Sequence, residues 1–94
     1  MKVWIKVLDI PELAAVFGKR EFPLVFSGET LDDCLQALKA RYGPVLSRIL
    51  WDGRGNWDQS IQMIINGRCY GDEGKPIFLK EGDRITFVVL LEGG

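Results

Sequence analysis

The sequence predicts an α+β fold, a roll in which one main helix packs on a mixed sheet and the first and last strands lie parallel at the sheet's centre. Three observations lead there: strict alternation in Lys2 to Leu8, a well-capped amphipathic helix from Leu31 to Tyr42, and a strongly apolar last strand from Arg84 to Leu91. An apolar helix face needs a sheet to cover. The two most apolar strands are the natural centre of that sheet.

Each element has its own local cause. In the first strand Val3, Ile5 and Val7 alternate with Lys2, Trp4 and Lys6, the period of two that buries one face of a strand. Pro11 then opens a short helical turn through Phe17, and Gly18 stops it. The second strand, Glu21 to Phe26, contains Pro23, which cannot donate to a neighbour and so belongs on an edge.

Thr30 is a good N-cap for the main helix, Thr30-x-x-Asp33 forms a capping box, and Gly43-Pro44 ends it. Asp32 and Asp33 lie in its first turn and Lys39 and Arg41 in its last, matching the macrodipole. Leu31, Cys34, Leu35, Leu38 and Tyr42 recur at helical spacing and form the face that meets the sheet. Val45 to Leu50 continues as a second short helix, and Trp51 to Trp57 reads as a glycine-rich loop.

Ser60 to Ile65 alternates again, and Asn66-Gly67 is a two-residue hairpin turn into Arg68, Cys69 and Tyr70. After a loop from Gly71 to Pro76, Ile77 to Leu79 is briefly extended and Lys80 to Asp83 turns into the last strand. Parallel first and last strands across one helix make the β-grasp arrangement. The whole chain, 1–94, is expected to be a single such domain with a Gly-Gly tail over about residues 91–94.

Composition narrows the function. With 94 residues, 47% hydrophobic, 27% charged and a formal net charge of -1, the chain is an ordinary globule. Its bases are scattered, which argues against a nucleic-acid partner. The alternating first segment has neither a signal-peptide core nor a membrane span, so the expected compartment is the cytoplasm and no membrane partner is expected. Cys34 and Cys69 stand far apart with no CxxC pair, and there is no histidine, so neither a metal site nor a self-contained hydrolytic enzyme is expected. An iron–sulfur carrier on the same fold needs four cysteine ligands.

The chemistry is concentrated at the last residues, Leu90-Leu91-Glu92-Gly93-Gly94. With 11 glycines in 94 residues, a terminal pair arises by chance about one time in a hundred, which calls for a cause other than composition. Two residues without Cβ atoms can thread a narrow channel, so Gly93 serves passage and Gly94 brings a terminal carboxylate to a partner's active site. A carboxylate is a poor electrophile. It requires activation, most directly by adenylation, and the chain has no nucleotide-binding motif of its own. The competing reading is an incidental tail on an interaction domain.

The order of Val3 to Leu8, Pro11 to Gly18, the Thr30-capped helix, Ile64-Ile-Asn-Gly67, Leu79-Lys-Glu-Gly-Asp-Arg84 and Gly93-Gly94 resembles the MoaD/ThiS family of ubiquitin-like sulfur carriers across nearly the whole chain. The resemblance implies that an ATP-dependent adenylyltransferase related to ubiquitin activators adenylates Gly94, and that a sulfur donor converts it to a thiocarboxylate. ATP is then consumed by the partner and no cofactor is held by this chain. It further implies an acceptor enzyme: the large subunit of molybdopterin synthase for MoaD-like members, or the thiazole synthase of thiamine biosynthesis for ThiS-like ones. Length and the Pro11 to Gly18 segment place the chain nearer MoaD. Leu90-Leu91-Glu92, without the proline many MoaD-like tails carry, and the inserted Trp51 to Trp57 loop depart from that pattern. A ubiquitin-like modifier, joined through Gly94 to a lysine amine, uses the same activated end and is the main rival.

If Ile85, Phe87 and Val89 face the helix, then Thr86, Val88 and Leu90 face away, as do Trp4 and Ile64. Trp4, Ile64, Val88 and Leu90 are therefore the candidate docking patch, with Glu92 guiding the tail toward a basic channel. The competing expectation is that the Trp51 to Trp57 loop folds back over that face. Arg68 and Lys80 are expected to be solvated charges, Cys34 a core residue, and Cys69 exposed without an activating neighbour.

Overall fold

The computed structural model describes residues 1–70 and 75–89. In chain order the elements are β1 (Lys2–Leu8), α1 (Pro11–Phe17), β2 (Glu21–Val25), α2 (Leu31–Tyr42), α3 (Pro44–Leu50), β3 (Ile61–Ile65), β4 (Arg68–Tyr70) and β5 (Arg84–Val89). The five strands form one sheet in the order β2-β1-β5-β3-β4. β1 and β5 are parallel neighbours and the other three pairings are antiparallel. This is the mixed β-grasp sheet expected from the sequence.

Alternation places the core on one face. Val3, Ile5 and Val7 of β1, Ile85 and Phe87 of β5, and Ile61, Met63 and Ile65 of β3 are buried together beneath Leu31, Cys34, Leu35 and Leu38 of α2. The two short helices add Leu13, Phe17, Leu46 and Leu50, so the sheet is covered by three helices rather than α2 alone. Tyr42 closes this layer at the end of α2, edge-on to Phe17 at 4.9 Å.

The capping box at α2 is complete: Asp33 N–H donates to Thr30 Oγ1 at 3.1 Å, and Asp33 Oδ2 accepts from the backbone of Thr30 at 3.2 Å and Glu29 at 3.0 Å. Asp33 sits below its ordinary pKa because the Glu29 and Thr30 amides and the Thr30 hydroxyl favour the carboxylate.

Pro23 lies on edge strand β2, opposite Trp4. Met1 and Phe26 exchange backbone bonds and Val7 N–H donates to the Arg20 carbonyl, which sets the phase of the ladder. By alternation Phe22 and Leu24 bond inward to β1, and Pro23 falls on the outward side, where its missing N–H leaves no neighbour unsatisfied. The start of β5 is held differently. Asp83 accepts from Lys80 N–H and from Asn66 Nδ2, both at 2.8 Å, while Asn66 Oδ1 accepts from Arg84 N–H at 3.0 Å. The hairpin turn and the Lys80 to Asp83 turn are thus tied together at one end of the sheet.

Candidate functional site

The candidate site begins where β5 leaves the other end. Leu90, Glu92, Gly93 and Gly94 lie outside the described residues. Val89, the last residue of β5, pairs with Ile61 at the start of β3, and Val88 pairs with Leu8 at the end of β1. The chain therefore enters its tail from a central strand, flanked on both sides by backbone.

On the face away from the helices, Val88 and Ile64 are diagonal neighbours, since Val88 lies opposite Gln62 and Ile64 opposite Thr86. Diagonal pairs of this kind are within reach of one another. Both are half-buried. Trp4 is on the same face but nearer the start of β5, opposite Pro23 and Arg84, two residues before the row of Ile64 and four before Val88, with Lys2 Nζ 5.3 Å from its ring centroid. Among the candidates, the structure brings Ile64 and Val88 together and sets Trp4 apart from them.

Leu8 occupies the place beside Val88, 41% exposed, and sequence reasoning passed over it. Its signal was present. In β1 the outward positions read Lys2, Trp4, Lys6 and Leu8, so an aliphatic residue closes a row that carries two lysines and a tryptophan. Phe78, 68% exposed, was missed as well; it is the outward residue of the extended piece between half-buried Ile77 and buried Leu79. It bridges Thr30, away from the end of β5.

The Trp51 to Trp57 loop packs on the helix side of the sheet. The Trp57 ring lies 6.1 Å from that of buried Phe87, and Trp51 meets Trp57 edge-on at 5.3 Å. Lys39 of α2 places its Nζ 4.1 Å above Trp51, a cation–π contact. The expected alternative, a loop folded over the outer face, is not what the tryptophans do. Their area is drawn to the core instead.

Cys34 is buried in α2, and burial pushes its thiol up to about 12. Cys69 is exposed on β4 opposite Ile64, on the face of the apolar patch. Arg68 and Lys80 are exposed, away from the end of β5. No group of three or more metal-ligating side chains occurs among the described residues, and no described helix is long and apolar enough to cross a membrane.

Several solved structures share this architecture. Small archaeal modifier protein 1 (SAMP1) of Haloferax volcanii superposes with a TM-score of 0.77 at 23% identity, covering 100% of both chains. SAMP1 of Methanosarcina acetivorans gives 0.73 at 29% identity over 99% of this chain and 96% of its own. The BexX/CysO complex of Amycolatopsis orientalis contains a chain that gives 0.68 at 19% identity, over 98% of this chain and 99% of that one. No curated protein matches the sequence. The sequence profile of the ThiS family matches residues 12–94, from the first helix through the terminal glycines, and the chain belongs to that family.

Proposed function

We propose that the chain is a sulfur carrier, a protein co-substrate rather than an enzyme. Gly94 supplies the reacting carboxylate. One of its oxygens attacks the α-phosphorus of ATP in a partner adenylyltransferase, releasing pyrophosphate and leaving an acyl adenylate. Hydrosulfide supplied by the sulfur donor then attacks the acyl carbon and displaces AMP, and loss of its proton leaves a thiocarboxylate. The carrier holds no cofactor, and ATP is bound by the partner.

The observation that carries this reading is the family match extending through Gly93 and Gly94, on a chain whose last described element is the central strand β5. Gly93 lets the tail thread the partner's channel. Leu8, Ile64 and Val88, with Leu90 beyond them and Trp4 at the margin, offer the apolar docking face, and Glu92 favours a basic channel mouth. The Amycolatopsis complex, in which a protein of this fold is held by a partner, supports a carrier that works inside another enzyme.

The thiocarboxylate gives up its sulfur in cofactor biosynthesis in the cytoplasm. Molybdopterin is the first choice, with the chain as small subunit of a molybdopterin-synthase-like complex. The thiazole of thiamine is the second. Intact mass after incubation with ATP, the adenylyltransferase of the same genome and a sulfur donor tests the carrier. A gain equal to replacing one oxygen by sulfur, absent when Gly94 is deleted, is expected; no gain with a competent enzyme refutes it.

Likeness to the two archaeal modifier proteins favours a second reading, in which the same activated Gly94 passes to a lysine amine. Covalent ladders on other proteins in a pull-down would identify that route, whereas the carrier gives a noncovalent complex with one enzyme.

A further inference from the structure

The backbone of Ile61 poses a problem that the Trp51 to Trp57 loop solves. Asn66 N–H donates to the carbonyl of Arg84, which fixes the phase of the β3 and β5 ladder. By alternation Ile64 and Gln62 bond to β5, while the N–H and C=O of Ile61 point the other way. The described part of β4 ends at Tyr70, opposite Met63. The two backbone groups of Ile61 need partners on that side.

Trp57, the last residue of the loop, and Asp58 just after it provide them. Ile61 N–H donates to the Asp58 carbonyl at 3.0 Å, and the Trp57 indole N–H donates to the Ile61 carbonyl at 2.7 Å. Trp57 is itself fixed by Phe87, by Trp51 and by an antiparallel bridge between the two tryptophans. The tip between them is ordered by Asp52 Oδ1, which accepts from the amides of Arg54 at 2.8 Å and Asn56 at 3.0 Å. Ile61 is the β3 partner of Val89.

We propose that Trp57 is a positioning residue for the activated C-terminus: by holding Ile61 and Phe87 it fixes the strand end from which the tail departs. The inference rests on the carrier reading. A fixed root keeps Val88 and Val89 in the sheet. If the last pair of β5 opens, these two residues gain freedom that must be lost again whenever the carboxylate is seated. Docking through the outer face is a separate event, because Trp57 lies on the other side of the sheet.

The test is Trp57→Phe, which keeps an aromatic ring on Phe87 and removes the N–H. Two readouts are taken on the full chain. Amide hydrogen exchange of Gln62 and Val88 is expected to speed up about tenfold, with Ile64 and Thr86 unchanged, as local opening at one end requires. In thiocarboxylate formation by the adenylyltransferase, kcat is expected to fall about threefold or more, with KM for the carrier unchanged.

Unchanged exchange at Gln62 and Val88 overturns the proposal whatever the enzyme does. So does faster exchange that includes Ile64 and Thr86 equally, since that is general loosening, or a normal kcat in a chain whose strand end has opened. If wild-type protein is not a substrate at all, the carrier reading and the positioning role built on it fail together, and the exchange result then separates a structural anchor from no anchor.

Discussion

Cys34 and Cys69 are the same chemical group in opposite situations. Cys34 has no exposed surface and a thiol pushed up to about 12, so little thiolate is available and no reagent reaches it. Cys69 is open to solvent. One thiol per chain is expected to react promptly with a water-soluble aromatic disulfide in native buffer, and the second only after unfolding in denaturant. Glycines separate in the same manner. A Cβ on Gly28, at φ +136°, would lie 2.5 Å from the side chain of Asp33, the residue that closes the cap of α2. Gly18, at φ +75°, has nothing within 4 Å of that position. Gly28→Ala is expected to lower stability by about 1–3 kcal/mol in urea titration, beyond the effect of Gly18→Ala, because backbone strain is then joined by a collision.

At the scale of elements, α2 carries a pH dependence. Its N-terminal carboxylate, Asp33, has a folded pKa below its ordinary value of 3.8. The cap's contribution is therefore complete above the unfolded value and is lost as pH falls through the lower folded one. Acid titration followed by far-UV circular dichroism should show Asp33→Asn losing that part of the acid transition, with little change in its shape near neutrality. In β5, Phe87→Ala removes a fully buried ring at the sheet's centre. A loss of about 3–5 kcal/mol is expected in urea, a large share of the roughly 5–15 kcal/mol typical of a domain.

These elements were legible in the sequence because their causes are local. The cap, the acids and bases of α2, the alternation in β1 and the Asn-Gly turn each act over a few residues, and each element lies within a residue or two of its expected place. What was not legible depends on packing between distant segments. The loop's tryptophans gave no sign of which side of the sheet they would cover, and the Trp57 bond to Ile61 depends on how the loop packs against β3. Leu8 was legible in principle and was hidden by the regularity of the lysines before it. The spread of the docking candidates, with Trp4 away from Ile64 and Val88, follows from strand register, which no single strand encodes.

For the whole molecule, the two faces of the sheet differ: one is sealed by three helices, and the other keeps an aliphatic cluster near the end of β5. Val88→Asp, at a half-buried outer position, is expected to leave the folded signal intact and weaken binding to the adenylyltransferase by about tenfold or more, the scale of a lost interface contact. Val25→Asp is the control, because Val25 is exposed on the far edge strand, opposite Lys2. Equal binding by both variants and the wild type, measured by calorimetry, would remove the outer face from the docking model.

Because β1 finds its parallel partner in β5, the centre of the sheet cannot close until residues 84–89 have been made; residues 2–8 are made earlier and wait for them. A nascent chain that stalls before β5 lacks Phe87 and the centre of its core, and remains open to proteolysis. Synthesis thereby acts as its own inspection, since any copy whose sheet has closed has already made the strand that completes its centre.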